Sequence, residues 1–290
     1  MCHLIRYCLF VLITLLSLNG VAAKKKPLLT IEVTVPSDVY SDYLEVVKYR
    51  NPIEITNYTH PYNRRDVVEL ILLQQALALG GLQDYELEFI VVDSYLRSLR
   101  LLESGKALMT GTSLWSQDIT NNDSLSKSAA IIKVNEFEAG LYTNEKQYAE
   151  LTSKPFVIQD LTVVSSKQWT VDWQSLKKID FKYVLETNSW DSMVKMVDAN
   201  RANILLAPFQ ATPDMSFEVG DVTFKPLPNL KIGLLDSRHF AISKKHPHFN
   251  AVFIALEKGL KVLEEEGVLI KAYTQSGFMN VNVRDWSFVN

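Results

Sequence analysis

The chain has 290 residues, with 30 Lys and Arg against 33 Asp and Glu and a formal net charge of −3. That balance excludes the basic face that nucleic-acid binding asks for, and the length can bury a large core without staples. Its two cysteines are Cys2 and Cys8, so no thiolate metal site or disulfide is expected in the body of the protein.

The chain opens with the charge of Arg6, an apolar run from Leu9 to Leu18, and Val21-Ala22-Ala23 ahead of Lys24-Lys25-Lys26. A charged start, a short apolar stretch and small residues at the cut predict a secretory signal peptide over residues 1–23, cleaved after Ala23. The run is shorter than the roughly 20 residues of a membrane span. Export to the periplasm is therefore expected, and cleavage would remove both cysteines.

Leu28–Val35 and Ile53–Tyr58 read as strands, the first alternating at Ile31, Val33 and Val35. Asp66 with Glu69 three residues on has the pattern of a capping box. The helix that follows, Val67–Leu79, is apolar on most sides, which predicts burial between layers, and it stops at Gly80-Gly81. Tyr85–Val92 is a strand of β-branched and aromatic residues. Asp93 or Ser94 caps a helix with a Leu96, Leu99, Leu102 stripe that ends at Gly105. Ala107–Thr110 is a short strand running into Gly111-Thr112-Ser113. Residues 53–113 thus spell a parallel α/β unit. The grammar returns with strand Tyr183–Glu186, a cap at Asn188-Ser189, a helix bearing Met193, Val194, Met196 and Val197, and strand Ile204–Ala207. A strand at His239–Ser243, a long helix from about Phe249 to Leu263 and a shorter one near Leu269–Tyr273 close the chain. Two α/β units separated by a less regular middle predict two lobes.

Catalytic signatures are missing: there is no Gly-x-Ser-x-Gly elbow, no phosphate-cradling glycine loop and no His-Glu-x-x-His. The Ser-x-x-Lys matches at Ser124–Lys127 and Ser175–Lys178 lack the companion motifs of acylating enzymes. His246-Pro247-His248 has no third ligand nearby and reads as a solvated loop. No catalytic residue, metal or cofactor is expected. The loops after the parallel strands carry more, because open α/β sheets bind ligands there, at helix N-termini. They supply Tyr62, Arg64 and Arg65, then Thr112, Ser113 and Trp115, and from the second unit Thr187, Asn188, Ser189, Trp190 and Phe209. Hydroxyls and amides beside aromatic rings suit a small-ligand cleft, although each can equally cap a helix or fill a core.

Several segments resemble those of the type II periplasmic substrate-binding proteins, in the branch related to polar amino-acid receptors of ABC importers. Leu99–Met109 is similar to that family's helix, Gly turn and strand before the first ligand loop. Phe137–Asn144 looks like the strand crossing from lobe 1 to lobe 2. Met196–Ile204 resembles the matching helix-turn-strand of lobe 2, and Arg238–Pro247 resembles the return strand. Phe249–Phe278 is similar to the closing helices. The resemblance implies an α/β, two-lobed fold, each lobe a mostly parallel sheet flanked by helices and joined to the other by two hinge strands. Lobe 1 would comprise residues 27–138 plus 239–290 and lobe 2 residues 139–238. It implies a monomeric extracytoplasmic protein that captures a small polar ligand between its lobes for an ABC permease. A sensing subunit for a membrane receptor or kinase, and a dehydratase of small acids, are the competing readings.

Two departures matter. The family places an Arg shortly after the first lobe's Thr-bearing loop to clamp an α-carboxylate, whereas no Arg occurs here between Arg100 and Arg201. Asn203 stands where lobe 2 usually opens its strand with Asp. Either the solute is less acidic than an amino acid, or Arg65 or Arg238 has taken over the anion.

Overall fold

The computed structural model describes residues 29–82, 84–210 and 212–289; the expected signal peptide lies outside them. In chain order the strands and α-helices are β1 (Leu29–Pro36), α1 (Ser37–Val47), α2 (Arg65–Leu79), β2 (Tyr85–Val92), α3 (Tyr95–Glu103), β3 (Met109–Thr110), β4 (Leu114–Trp115), α4 (Ser116–Thr120), β5 (Leu125–Lys127), β6 (Glu138–Asn144), α5 (Glu145–Thr152), β7 (Thr162–Ser165), α6 (Thr170–Lys177), β8 (Tyr183–Glu186), α7 (Trp190–Asp198), β9 (Ile204–Pro208), β10 (Phe217–Val219), β11 (Val222–Gly233), β12 (Arg238–His239), β13 (Ala241–Ser243), α8 (Phe249–Glu265), α9 (Val268–Gln275) and β14 (Ser287–Phe288).

Two separate sheets carry the architecture. The first runs β2-β1-β3-β13-β5. Its β2-β1-β3 part is parallel, and β13, arriving from the far end of the chain, lies antiparallel to β3 and β5. The second runs β10-β11-β6-β9-β7-β8. There β9-β7-β8 is parallel, while β6 lies antiparallel to β9 and β11, and β10 antiparallel to β11. The strand-helix-strand halves are parallel because a crossover helix returns the chain in the same sense.

The crossing occurs twice within residues 131–138 and 233–239. These segments pair through Arg238 N to Ile132 O at 2.8 Å, Asn135 N to Leu234 O at 3.0 Å and Leu234 N to Phe137 O at 2.9 Å. A C-terminal segment crosses as well. Val283 is fully buried against Phe209 and Met215 of the second lobe, and β14 pairs with β11. The buried ammonium of Lys231 donates to Val283 O at 2.9 Å and pairs with Glu138 at 2.8 Å.

The core of the first lobe centres on α2, whose residues from Val67 to Leu73 are all buried. It is pressed between β1, where Ile31, Val33 and Val35 are fully buried, and α8. A Cβ added to Gly259 of α8 would stand 1.7 Å from Ala76 O, and one added to Gly80 would stand 1.9 Å from Ala255 O.

Four local expectations change. Ile53–Tyr58 is not a strand: Pro52–Glu54 forms a 3-10 turn, and the residues after it run extended with β1 occupying the sheet position. Buried Gln75 holds that segment, donating to Pro52 O and Ile55 O at 3.1 and 2.7 Å. Asp66 does not cap α2, which begins one residue earlier without a side-chain cap. In α3, Ser94 is the cap, but Leu96 is 63% exposed, because Ser98 and Leu102 form the face laid on β1 and Ser98 Oγ bonds Thr34 Oγ1 at 2.5 Å. His246 is buried, not solvated, and lies 3.1 Å from Glu32.

Candidate functional site

The first turn of α2 points into the space between the lobes. Arg65 Nη1 lies 3.0 Å from Glu69 Oε1, one turn deeper, and Arg65 also pairs with Asp66. Glu69 is fully buried. Gly111 lets the loop after β3 lie directly on α2, since a Cβ there would stand 2.4 Å from Leu70 Cδ2. That loop delivers Ser113, whose backbone N–H and hydroxyl both donate to Glu69, each at 2.7 Å. The Tyr273 hydroxyl approaches the same carboxylate at 3.4 Å.

β12 lies antiparallel to β4 with Arg238 opposite Trp115. Arg238 Nε donates to Ser113 Oγ at 2.9 Å, and Nη2 donates to Ser113 O. Its guanidinium sits 4.4 Å from the Trp115 ring centroid and 5.9 Å from that of Phe137. Arg65 stands 5.8 Å from the same Phe137 ring. The two cations therefore share one serine hydroxyl and one phenyl ring, but their electrostatics differ. Burial opposes the charge on Arg65, and Asp66 and Glu69 outweigh it and raise its pKa. Arg238 has no carboxylate within 4.0 Å among the described residues. Burial first, and then the charge of Arg65, lowers its pKa to about 10.

The facing wall belongs to the second lobe and is built from strand ends and helix starts. Trp169 precedes α6, and Asp172 lies in its first turn. Ser189 caps α7 by accepting from Ser192 N at 3.2 Å, which places Trp190 at the first helical position. β9 ends at Pro208, ahead of Phe209 and Gln210. A cavity of about 300 Å³ lies between the lobes, with Arg65, Asp66 and Phe278 on one side and Phe209 and Gln210 on the other. A second, of about 530 Å³, adjoins it through Pro208 and Gln210 and is walled by Trp169, Asp172, Trp190 and Phe217. A larger cavity, about 750 Å³, lies against residues 151–159 and 228–230, away from the helix starts of the second lobe.

Asp172 carries the clearest electrostatic signature of that wall. Burial raises its pKa to about 6, against the opposing pull of Arg238. A raised carboxyl pKa means the folded state holds its proton more tightly than the unfolded chain, so stability falls as pH rises from about 4 through 6. Asp172→Asn is therefore expected to be more stable than the parent at pH 8, with the difference vanishing near pH 4. Thermal melts across that range check it; a constant difference would show that Asp172 is not the group responsible.

Solved structures with the same arrangement of lobes share little sequence with this chain. The Bordetella pertussis BvgS periplasmic VFT2 domain matches with a TM-score of 0.52 at 15% identity, over 84% of this chain and 93% of that one. The probable amino-acid ABC transporter extracellular-binding protein YtmK of Bacillus subtilis matches with 0.54 at 11%, over 87% and 98%. Substrate-binding domain 2 of Lactococcus lactis GlnP, in its open conformation, matches with 0.50 at 11%, over 88% and 96%. The fold is that of the type II periplasmic binding proteins. No family model and no curated protein sequence matches the chain.

On this binding-protein fold the residues expected at the ligand divide into three groups. Arg65, Phe209 and Trp190 line the two adjoining cavities. Ser113, Trp115 and Arg238 come together at the hinge side of the first lobe. There Ser113 Oγ donates to Glu69 and accepts from both arginines, which fills its hydrogen-bonding capacity. The others lie outside the cavities: Tyr62 is 52% exposed beside His60, Thr112 is buried in the loop, and Thr187 and Asn188 precede the Ser189 cap. Phe209 presents only part of its ring, because Trp286 packs edge-on against it at 5.4 Å. The sequence reading does not point to Glu69, Phe137, Trp169 or Asp172 as site residues. A single acid inside the apolar run of α2 signalled the first. The β-branched Thr162-Val163-Val164, followed by Trp169-Thr170-Val171-Asp172, carried a strand-to-helix signal for the last two.

Proposed function

We propose that this chain is an extracytoplasmic solute-binding protein that captures a small polar ligand between two lobes and does not transform it. The observation that carries the reading is the adjoining pair of cavities: one is lined from both lobes, by Arg65, Asp66 and Phe278 against Phe209 and Gln210, and the other continues from it along the strand ends and helix starts of the second lobe. Two crossing strands suit a hinge that closes on a ligand. Lobe 1 is assigned residues 27–138 plus 239–290 and lobe 2 residues 139–238, except that the C-terminal stretch around Val283 and β14 packs on the second lobe. The first 23 residues act as the signal peptide, and no helix among the described residues is long and apolar enough to cross a membrane. With Glu69 and Asp66 balancing Arg65, Arg238 is the group that faces an anionic or electron-rich part of the solute.

The chain hands its ligand to a membrane partner, and two partners are supported. Likeness to YtmK and to the GlnP domain favours an ABC permease; comparable likeness to the BvgS domain favours a sensor. A thermal-shift screen against a broad metabolite panel tests the binding reading, because a ligand that binds only the folded state raises the melting temperature by mass action. A hit that also contracts the particle in small-angle scattering is the expected result. A panel of several hundred polar solutes without one hit would overturn it.

A further inference from the structure

We propose that the second-lobe wall of the cleft is a site for an organic cation of the alkylated ammonium class, held by Trp169, Trp190 and Phe217 with Asp172 as counter-charge. This deepens the binding-protein reading and rests on it.

Three observations converge. First, the rings form a continuous surface: Trp169 and Trp190 have centroids 6.4 Å apart, Trp190 and Phe217 5.7 Å, and all three line the 530 Å³ cavity. Trp169 is 37% exposed although it is a large apolar ring. Second, the cavity is lined by two carboxylates, Asp172 and Glu218, and by no Lys or Arg. Neither acid forms an ion pair among the described residues. Lys167, the lysine nearest to Trp169 in sequence, is turned to Glu186 at 2.5 Å and to the Trp173 ring. Third, Asp172 is half-buried with no side-chain hydrogen bond or ion pair among the described residues, and burial raises its pKa although the charge of Arg238 pulls it down, so the partial compensation from Arg238 does not offset the burial. A half-buried carboxylate is relieved by a cation.

The chemistry of the walls selects among cations. A hard metal ion asks for a shell of oxygen ligands, and among the described residues no group of three metal-ligating side chains exists. A primary ammonium wants hydrogen-bond acceptors on all three N–H groups, whereas this wall is mostly ring. An alkylated ammonium needs no directed acceptor. Its diffuse charge is attracted by indole faces, its methyl groups fill apolar space, and aromatic cages with one acid are the solution for it.

Choline and its neutral isostere 3,3-dimethyl-1-butanol test this directly, with calorimetry and tryptophan emission as readouts on the full exported chain. The expected result is choline binding at least about tenfold tighter than the alcohol, from cation–π and ionic attraction together. Asp172→Asn and Trp169→Ala are each expected to weaken choline about tenfold; Trp169 is exposed enough that its removal leaves the fold intact, which a melt confirms. Equal binding of the alcohol, no choline binding, or choline binding unmoved by either variant overturns the proposal. If other solutes raise the melting temperature while ammonium compounds do not, the ligand class fails and the binding-protein reading stands. If nothing does, both fail.

Discussion

Gly259→Ala is expected to lower the melting temperature by roughly 2–12 °C. The reason is a reciprocal contact. Ala76 and Gly80 lie four apart on one face of α2, and Ala255 and Gly259 lie four apart on one face of α8. Gly259 meets Ala76 and Gly80 meets Ala255, so each contact sets a glycine, which has no side chain, directly against the backbone of an alanine on the other helix. A methyl at Gly259 would stand 1.7 Å from Ala76 O and 2.7 Å from Ala76 Cα. Those are backbone atoms that cannot rotate away, so the helices must separate. Overpacking a tight core costs about 1–3 kcal/mol and occasionally more, and for a protein of this size each kcal/mol moves the midpoint by about 2–4 °C. Helix propensity argues the other way, since Ala in a helix interior is favoured over Gly by about 1 kcal/mol. The sign of the measured change therefore decides which effect wins. Calorimetry showing Gly259→Ala equal to or more stable than the parent would mean that α2 and α8 are not in backbone contact.

That contact also shows what a linear reading can and cannot reach. The apolar run of α2 announced a buried helix, and β2 and β8 occupy the expected residues because β-branched and aromatic runs between turn signals depend only on neighbours. Gly80 was legible as a helix stop but not as a crossing point, since its partner Ala255 lies far along the chain. Ile53–Tyr58 failed for a related reason. Its apolar residues Ile55 and Tyr58 are buried, yet burial against Gln75 and α2 does not require a sheet partner. The capping-box pattern of Glu69 is local, whereas the group it binds, Ser113, lies 44 residues away. The cleft itself was legible as loops after strands. Which hydroxyls face a solute was not, because Ser113 is consumed by groups from α2 and β12 that only the fold brings together.

Glu69→Ala is the second large effect, and it reports on how the first-lobe wall is charged. Glu69 is fully buried and accepts from Ser113 N–H, Ser113 Oγ, Arg65 and Tyr273. Removing it strands a backbone donor and leaves Arg65 beside Arg238 with Asp66 as its remaining partner. Breaking a buried ion pair from one side costs about 3–5 kcal/mol, because the surviving charge stays desolvated, and melting should fall by roughly 6–20 °C. Glu69→Gln keeps the shape and one acceptor for Ser113 but no charge for Arg65, so it should fall between parent and Glu69→Ala. The variants should also differ in their response to anions. With Glu69 gone, Arg65 and Arg238 become two buried cations without enough counter-charge, and sulfate should raise the melting temperature of Glu69→Ala more than that of the parent. Arg65→Met placed on top of Glu69→Ala should recover part of the loss, since it removes the stranded charge. If Glu69→Ala melts within about 2 °C of the parent, less than 1 kcal/mol of stability resides there, and the Arg65–Glu69–Ser113 group is not what shapes this wall of the cleft.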